Sequence, residues 1–439
     1  MWNQAGDKYY KAFVSKSEQH GPAGVPPDEW LAAAKSLRPE FPDDAMRGYR
    51  RRLGRLIQSV PRGAEETVPW VHYKMGSGNM VWIPTGCAWF DETGGCVVCD
   101  GYGKNPLFSR DPGALDKAID EALAFWAEDA RKALAAGVKH YQIIMTSATV
   151  FDDHMFPAAS RVKMFKGISK ILRAYLDERP GATTYYHFES RLSDYNEGAF
   201  AEIRRCIPRP TQLCSSVGIE ASSPFVRNVI INKGTSDDIM ARLKAVVEMG
   251  AREDVGIQGN ALLGIPFLTE LESMASVVET TMDILDAGCI MAGLMTSNLK
   301  KASYIGRYLN EIGHFNPPSI HATVAVMRLL LDRGYGNILP LGFTKTSLVK
   351  RFAAGCERCT DKIAHAIDSY LIGVTSEGIP TAEERFRRSD LDCACRQSWL
   401  QSITASREPL SDRFESELAE VERKISRLLG GGLETKNPG

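Results

Sequence analysis

From Val68 to Ala287 this 439-residue chain alternates short apolar runs with longer stretches whose apolar residues recur at helical spacing, an order that few architectures accept. The pattern predicts strands over 81–83, 141–145, 183–188, 213–219 and 256–263. Between and after them it predicts a helix capped by Asp111, opened by Pro112 and ended at Gly137, and further helices over about 159–177, 235–249 and 269–287. Strands joined by helices of this length form βαβ units and a parallel sheet. The expected fold is therefore α/β, a partial or complete parallel (β/α) barrel. Residues 1–66 read as a helical, charged N-terminal extension, 67–300 as the barrel, and 301–439 as a less regular C-terminal region containing cysteines and a terminal helix over 409–429. No internal repeat is visible.

In such folds the working groups stand at the carboxyl ends of the strands. The first predicted strand delivers Cys87, Cys96 and Cys99, spaced C-x8-C-x2-C in a loop with five glycines between Gly86 and Gly103. The next strands end at Thr146-Ser147, at Glu189-Ser190-Arg191, at Glu220, and near Gln258 and Asn260. Glycine lets backbone approach an inorganic group closely. Three thiolates are one short of a closed zinc site, whereas on a [4Fe-4S] cluster they would leave one iron open for a small molecule. A zinc knuckle with a borrowed ligand, or buried thiols, would also account for the spacing. Further on, Cys356-x2-Cys359 and Cys393-x-Cys395 could close a tetrathiolate site for Zn2+, or hold another soft metal or a second cluster.

The formal net charge of -1 gives the whole chain no strong field for a polyanion, so nucleic acid is not the expected main partner. Arg47, Arg50, Arg51, Arg52 and Arg55 read as a solvated helix face, with phosphate contact as the alternative. With no signal-like start and no membrane-length apolar run, the expected compartment is the cytoplasm, where ten cysteines point to metal or redox chemistry rather than disulfides.

Several blocks in order, from about Gly76 to Trp399, resemble the radical S-adenosylmethionine (SAM) superfamily, and within it the radical SAM subunit of archaeosine synthase. They are the cysteine loop, Thr146-Ser-Ala-Thr-Val-Phe-Asp152, Phe188-Glu-Ser-Arg191, Gly218-Ile-Glu-Ala-Ser-Ser223 with Ile231-Asn-Lys-Gly234, Pro266-Phe-Leu-Thr-Glu270, and Cys393-Ala-Cys395 before Trp399. The resemblance implies that Cys87, Cys96 and Cys99 hold a [4Fe-4S] cluster whose open iron binds SAM. An electron from the cluster would then break a carbon–sulfur bond. Glu189 and Glu220 suit the ammonium or ribose hydroxyls of SAM, Arg191 its carboxylate, and Thr146 and Ser147 the methionine part, with Gln258 and Asn260 also expected to bind the cofactor. A flavodoxin or ferredoxin would donate the electron.

Gly293-Leu-Met-Thr-Ser-Asn-Leu-Lys-Lys301 departs from the archaeosine pattern, and no RNA-binding module is evident. A small substrate is the preferred expectation. Relatives of the same branch include the radical SAM enzyme of arsinothricin biosynthesis, which implies transfer of a 3-amino-3-carboxypropyl group to trivalent arsenic, supplied as arsenite. Two alternatives are a carbon–nitrogen lyase acting on a lysine-modified deazaguanine in tRNA and a non-catalytic zinc-binding interaction protein.

Overall fold

The computed structural model describes residues 21–430 apart from 60–67, 76–77, 100–104, 112, 148, 208, 236–237, 301–303, 343–348, 352, 354, 377, 390, 392 and 405–407. Two helices, α1 (Pro27–Ser36) and α2 (Asp43–Ser59), precede a hairpin of β1 (Val71–Met75) and β2 (Gly78–Trp82). The cysteine loop follows with the short helices α3 (Ala88–Thr93) and α4 (Pro106–Arg110). The alternation then runs α5 (Ala114–Ala135), β3 (His140–Thr146), α6 (Ala158–Glu178), β4 (Thr183–Glu189), α7 (Glu197–Cys206), β5 (Thr211–Glu220), α8 (Ile239–Arg252), β6 (Val255–Leu263), α9 (Glu270–Asp286) and β7 (Met291–Thr296). A short β8 (Leu299–Lys300), α10 (Tyr304–Glu311) and α11 (Ile320–Asp332) lead to β9 (Ile338–Leu341). After β10 (Val349–Arg351) come α12 (Glu357–Ser376), α13 (Ile379–Arg388), α14 (Ala394–Ile403) and α15 (Leu410–Leu428).

The main sheet has the order β1-β2-β3-β4-β5-β6-β7-β9, antiparallel at β1–β2 and parallel from β2 onward. Strand order that never reverses, joined by right-handed crossovers, places the crossover helices on one face and curls the sheet around the other. No pairing of β9 with β1 occurs among the described residues, so the α/β fold is a partial barrel. No helix of the described residues is long and apolar enough to cross a membrane.

The two faces differ chemically. Ile143, Met145, Tyr186, Phe188, Leu213, Val217, Ile257 and Leu294 are buried, their side chains alternating toward the helix layer. There they share a core with residues such as Trp126, Ile168, Ile203, Leu243 and Val277, each large aliphatic or aromatic side chain contributing about 1.5–3 kcal/mol on burial. The alternate positions, among them His187, Glu189, Ser216, Gly218, Gln258, Asn260 and Gly293, share the concave inner face through register pairs such as Ser216↔Gln258 and Asn260↔Gly293.

Several local features differ from the sequence expectation, among them the strands β1 and β7, which the predicted set lacks. The N-cap of α5 is Gly113, and Asp111 instead accepts from the Gly113 N–H at 2.9 Å. The helix α7, capped by Asn196, was not anticipated. β9 comes from the segment expected to be less regular, and it extends the sheet beyond β7. The arginines of α2 do not form a single face: Arg52 pairs with Glu422 at 2.8 Å and Glu415 at 2.6 Å on α15, Arg47 pairs with Asp44, and Arg50 lies over the Trp89 ring.

The N-terminal helices pack closely on the barrel. Trp30 is fully buried, Ser36 Oγ donates to Glu272 Oε1 at 2.7 Å, and Arg38 pairs with the buried Glu279 of α9. Phe41, Phe225 and Phe414 form an aromatic knot that joins this arm to the post-β5 segment and α15.

Candidate active site

The cysteine loop leaves β2 at the carboxyl rim. Ile83 N–H donates to Thr146 O at 2.8 Å, Thr85 Oγ1 shares a hydrogen bond of 2.5 Å with Ser147 Oγ, and Thr149 Oγ1 donates to Gly86 O at 2.8 Å. Ser147 is thus fully buried and engaged in holding the loop to the end of β3. Gly94 and Gly95 reverse the chain with φ of 85° and 86°, and a Cβ on Gly95 would collide with Phe90. Cys99 N–H donates to Cys96 O at 3.1 Å, which closes the tight turn between these two cysteines. Gly101 and Gly103 lie outside the described residues.

A second segment clamps the loop from the β5 side. Residues Phe225–Ile230 form a π-helical turn, a widened coil whose register displaces the residues that follow it. Fully buried Arg227 stabilises it by donating to Ala221 O, Ser222 O and Thr235 Oγ1. Val97 N–H then donates to Ile231 O at 2.9 Å, Asn232 Nδ2 to Gly95 O at 2.9 Å, and Trp89 Nε1 to Asn232 O at 2.6 Å. Asn232 holds this position with φ of 57°, and a side chain on Gly234 would run into the Trp89 ring.

This clamp delivers Lys233, whose Nζ lies 2.8 Å from Glu220 Oε1. Burial opposes the Lys233 ammonium, but Glu220 together with Cys96 and Cys99 more than offsets it and raises its pKa. Burial also pushes the Cys96 thiol up to about 11; Lys233 and Arg191 pull against that, while Cys87 and Glu220 add to it. Cys87, Cys96, Cys99, Glu220, Arg191 and Lys233 therefore share one electrostatic neighbourhood. Arg191 rests its guanidinium 5.6 Å from the centre of the Trp89 ring.

Of the remaining expected site residues, Glu189 and Thr146 stand at the ends of β4 and β3. Gln258 Nε2 donates to Asn260 Oδ1 at 2.8 Å on the inner face, where Gly293 leaves room for the Asn260 amide. The sequence reading did not single out Lys233, Trp89 or His187 as site residues. Gly234 directly after Lys233 was the available signal, since a glycine there marks a close approach.

The C-terminal cysteines form a second centre. The sulfurs of Cys356, Cys359, Cys393 and Cys395 lie within 4.8 Å of one another, the only such set of three or more ligand atoms among the described residues. Individual separations are 3.4 Å for Cys359–Cys395, 3.6 Å for Cys393–Cys395 and 3.7 Å for Cys356–Cys393. The three loop thiols do not form so tight a set. The first turns of α12 and α14 carry Cys359 and Cys395, and that of α11 carries His321, whose Nε2 is 3.1 Å from Cys395 Sγ. Helix N-termini favour the negative charge that clustered thiolates bring.

Fold and rim together define an α/β protein of the partial parallel barrel class with a cysteine loop at the carboxyl ends of its strands. No protein-family model matches the sequence, and no curated protein matches it. Among solved structures it is similar to the radical SAM methyltransferase TsrM from Kitasatospora setae with cobalamin and a [4Fe-4S] cluster bound, at 15% identity and a TM-score of 0.32 over 52% of this chain and 38% of that one. It is also similar to hydroxymethylglutaryl-CoA lyase from Pseudomonas aeruginosa (14%, TM-score 0.32, 71% of this chain and 88% of that one). A third is the methanol:cobalamin methyltransferase complex MtaBC from Methanosarcina barkeri (12%, TM-score 0.34, 76% and 80%). The chain thus spans well under half of the TsrM length.

Proposed function

We propose that the protein is a radical SAM enzyme, with Cys87, Cys96 and Cys99 holding a [4Fe-4S] cluster and SAM bound beside it. The observation that carries this reading is the gathering of these thiols with the Lys233–Glu220 pair on one rim. When bound, the cluster supplies the single electron that breaks a carbon–sulfur bond of SAM. The chain's own groups bind and orient. A Lys–Glu pair complements a zwitterion: the Lys233 ammonium can donate to the SAM carboxylate while Glu220 accepts from its ammonium, both charge-assisted. Arg191 adds a second cation, and the buried Gln258–Asn260 amides offer donors and acceptors to a substrate on the inner face.

For the reaction we propose transfer of the 3-amino-3-carboxypropyl group of SAM to trivalent arsenic, with methylthioadenosine as the leaving product. Support comes from the sequence resemblance and from a net charge of -1, which is poorly suited to a polyanion. At the second centre the sulfur separations of 3.4–3.7 Å fit one tetrahedral ion. Zn–S bonds of about 2.3 Å place tetrahedral ligands about 3.8 Å apart. We therefore assign Cys356, Cys359, Cys393 and Cys395 to a structural Zn2+.

The test is mass spectrometry of anaerobically reconstituted protein with SAM and dithionite, with and without arsenite. Methylthioadenosine together with an arsenic-containing amino acid is the expected result. Deoxyadenosine and methionine without an arsenic product would replace it with 5'-deoxyadenosyl chemistry, as in a lyase on a modified tRNA base. Zinc without iron or sulfide in the purified protein would overturn the enzyme reading altogether.

A further inference from the structure

A reduced cluster needs an electron from outside the protein, and the exposed face of α2 has the features of a place to receive its carrier. Arg47, Arg51 and Arg55 recur every fourth residue and are all exposed, so they form a cationic stripe along one side of the helix. Gly48 and Gly54 lie on this same face, and among the described residues nothing stands within 4 Å of the position a Cβ would take on either. Glycine is a poor helix former, and no contact among the described residues accounts for two of them here. They leave the stripe low enough for a partner to approach the backbone.

The same helix packs against the loop that carries Cys87 and Cys96. Arg50 lies 5.4 Å from the Trp89 ring centre, Gln58 Nε2 donates to Glu92 O at 3.4 Å, and Ile57 and Gln58 close over Gly94. The stripe thus lies on a helix in direct contact with the cysteine loop. The nearby acids are Asp43 and Asp44 in the first turn of α2, the latter paired with Arg47, Glu415 and Glu422 of α15, both paired with Arg52, and Asp91 and Glu92, exposed on α3.

Resting on the cluster reading above, we propose that the Arg47–Arg51–Arg55 face of α2 docks an acidic one-electron carrier protein of the flavodoxin or ferredoxin class. The carrier gives one electron per SAM cleaved: an anionic flavin hydroquinone passes to the neutral semiquinone, or a ferredoxin cluster is oxidised by one electron, with no proton released in either case. Position favours such a carrier over RNA. The stripe adjoins the cysteine loop, and the chain has no net positive charge to attract a long polyanion.

The experiment compares SAM cleavage by the full-length reconstituted protein driven by flavodoxin, with its reductase and NADPH, against cleavage driven by dithionite. In the Arg47→Ser/Arg51→Ser/Arg55→Ser variant the flavodoxin-driven rate at low salt is expected to fall roughly tenfold and to lose most of its salt dependence, because such charges act on encounter rates. A charge-reversed variant with Glu at all three positions should fall further. Both should keep the dithionite-driven rate, which shows that fold and cluster are intact. Unchanged flavodoxin-driven rates in both variants would overturn the docking surface, as would loss of tRNA binding with those rates intact. Failure of the wild-type chain to cleave SAM with dithionite would overturn the cluster reading and this inference with it.

Discussion

Lys233 Nζ and Glu220 Oε1 stand 2.8 Å apart, although Glu220 ends a strand with φ of 66° and Lys233 follows a π-helical turn. The pair adjoins the loop thiols, so its role can be separated from theirs. Lys233→Met should leave iron and sulfide content unchanged and weaken SAM binding by about 10–100-fold, the worth of one lost charge-assisted hydrogen bond. SAM titration of the reduced cluster followed by electron paramagnetic resonance would check this; unchanged affinity would remove Lys233 from the site.

Gly218 tests the same pair from the backbone. A Cβ there would sit 2.5 Å from Glu220 Oε1 and 2.6 Å from Lys233 Nζ, both ends of movable side chains. Gly218→Ala should therefore fold normally by circular dichroism while raising the KM for SAM.

On the proposed assignment, the two cysteine centres should lose their metals independently. Cys96→Ala is expected to abolish iron and sulfide binding and spare zinc, whereas Cys393→Ser should lose zinc, lower Tm and spare the cluster. Metal analysis of both variants reads the outcome, and loss of iron in Cys393→Ser would argue for a second cluster instead.

His187 sets an acid limb of stability. Burial lowers its pKa from 6.5 to about 4, and its Nε2 lies 3.1 Å from Ser216 Oγ. The unfolded chain takes up this proton below about pH 6.5 while the folded chain resists until about 4. The contribution is thus present above 6.5 and is lost as pH falls through that window, up to about 3 kcal/mol. Urea denaturation across pH 4–7 should show a shallower decline in His187→Gln.

Asp283 acts with the opposite sign. Burial, then the charge of Glu279, raises its pKa to about 7. An acid whose folded pKa is raised contributes stability at low pH that is lost as pH climbs from about 4 to 7. Asp283→Asn should remove that loss and raise Tm at pH 8 relative to wild type; an unchanged Tm profile would show that Asp283 is not held protonated.

Periodicity determined the βα alternation and the strand ends, because a strand that packs against helices on one face must repeat apolar residues at alternate positions, as Ile143 and Met145 or Tyr186 and Phe188 do. It also placed Glu189 and Glu220 at the carboxyl ends of their strands, near the rim that carries the cysteine loop, whereas Gln258 and Asn260, expected at a strand end, lie within β6 on the inner face because that strand runs on to Leu263. β9 was illegible, since four residues, Ile338–Leu341, carry too little pattern to separate from a loop. The position of Lys233 was equally hidden. It depends on the extra residue in the 225–230 coil, on Arg227 buried beneath it and on Asn232 held at positive φ. Cysteine spacing revealed two thiol sets. Only tertiary structure brought Cys356 and Cys359 to Cys393 and Cys395, because the start of α12 must meet that of α14 across an intervening helix, a contact that no local sequence preference encodes.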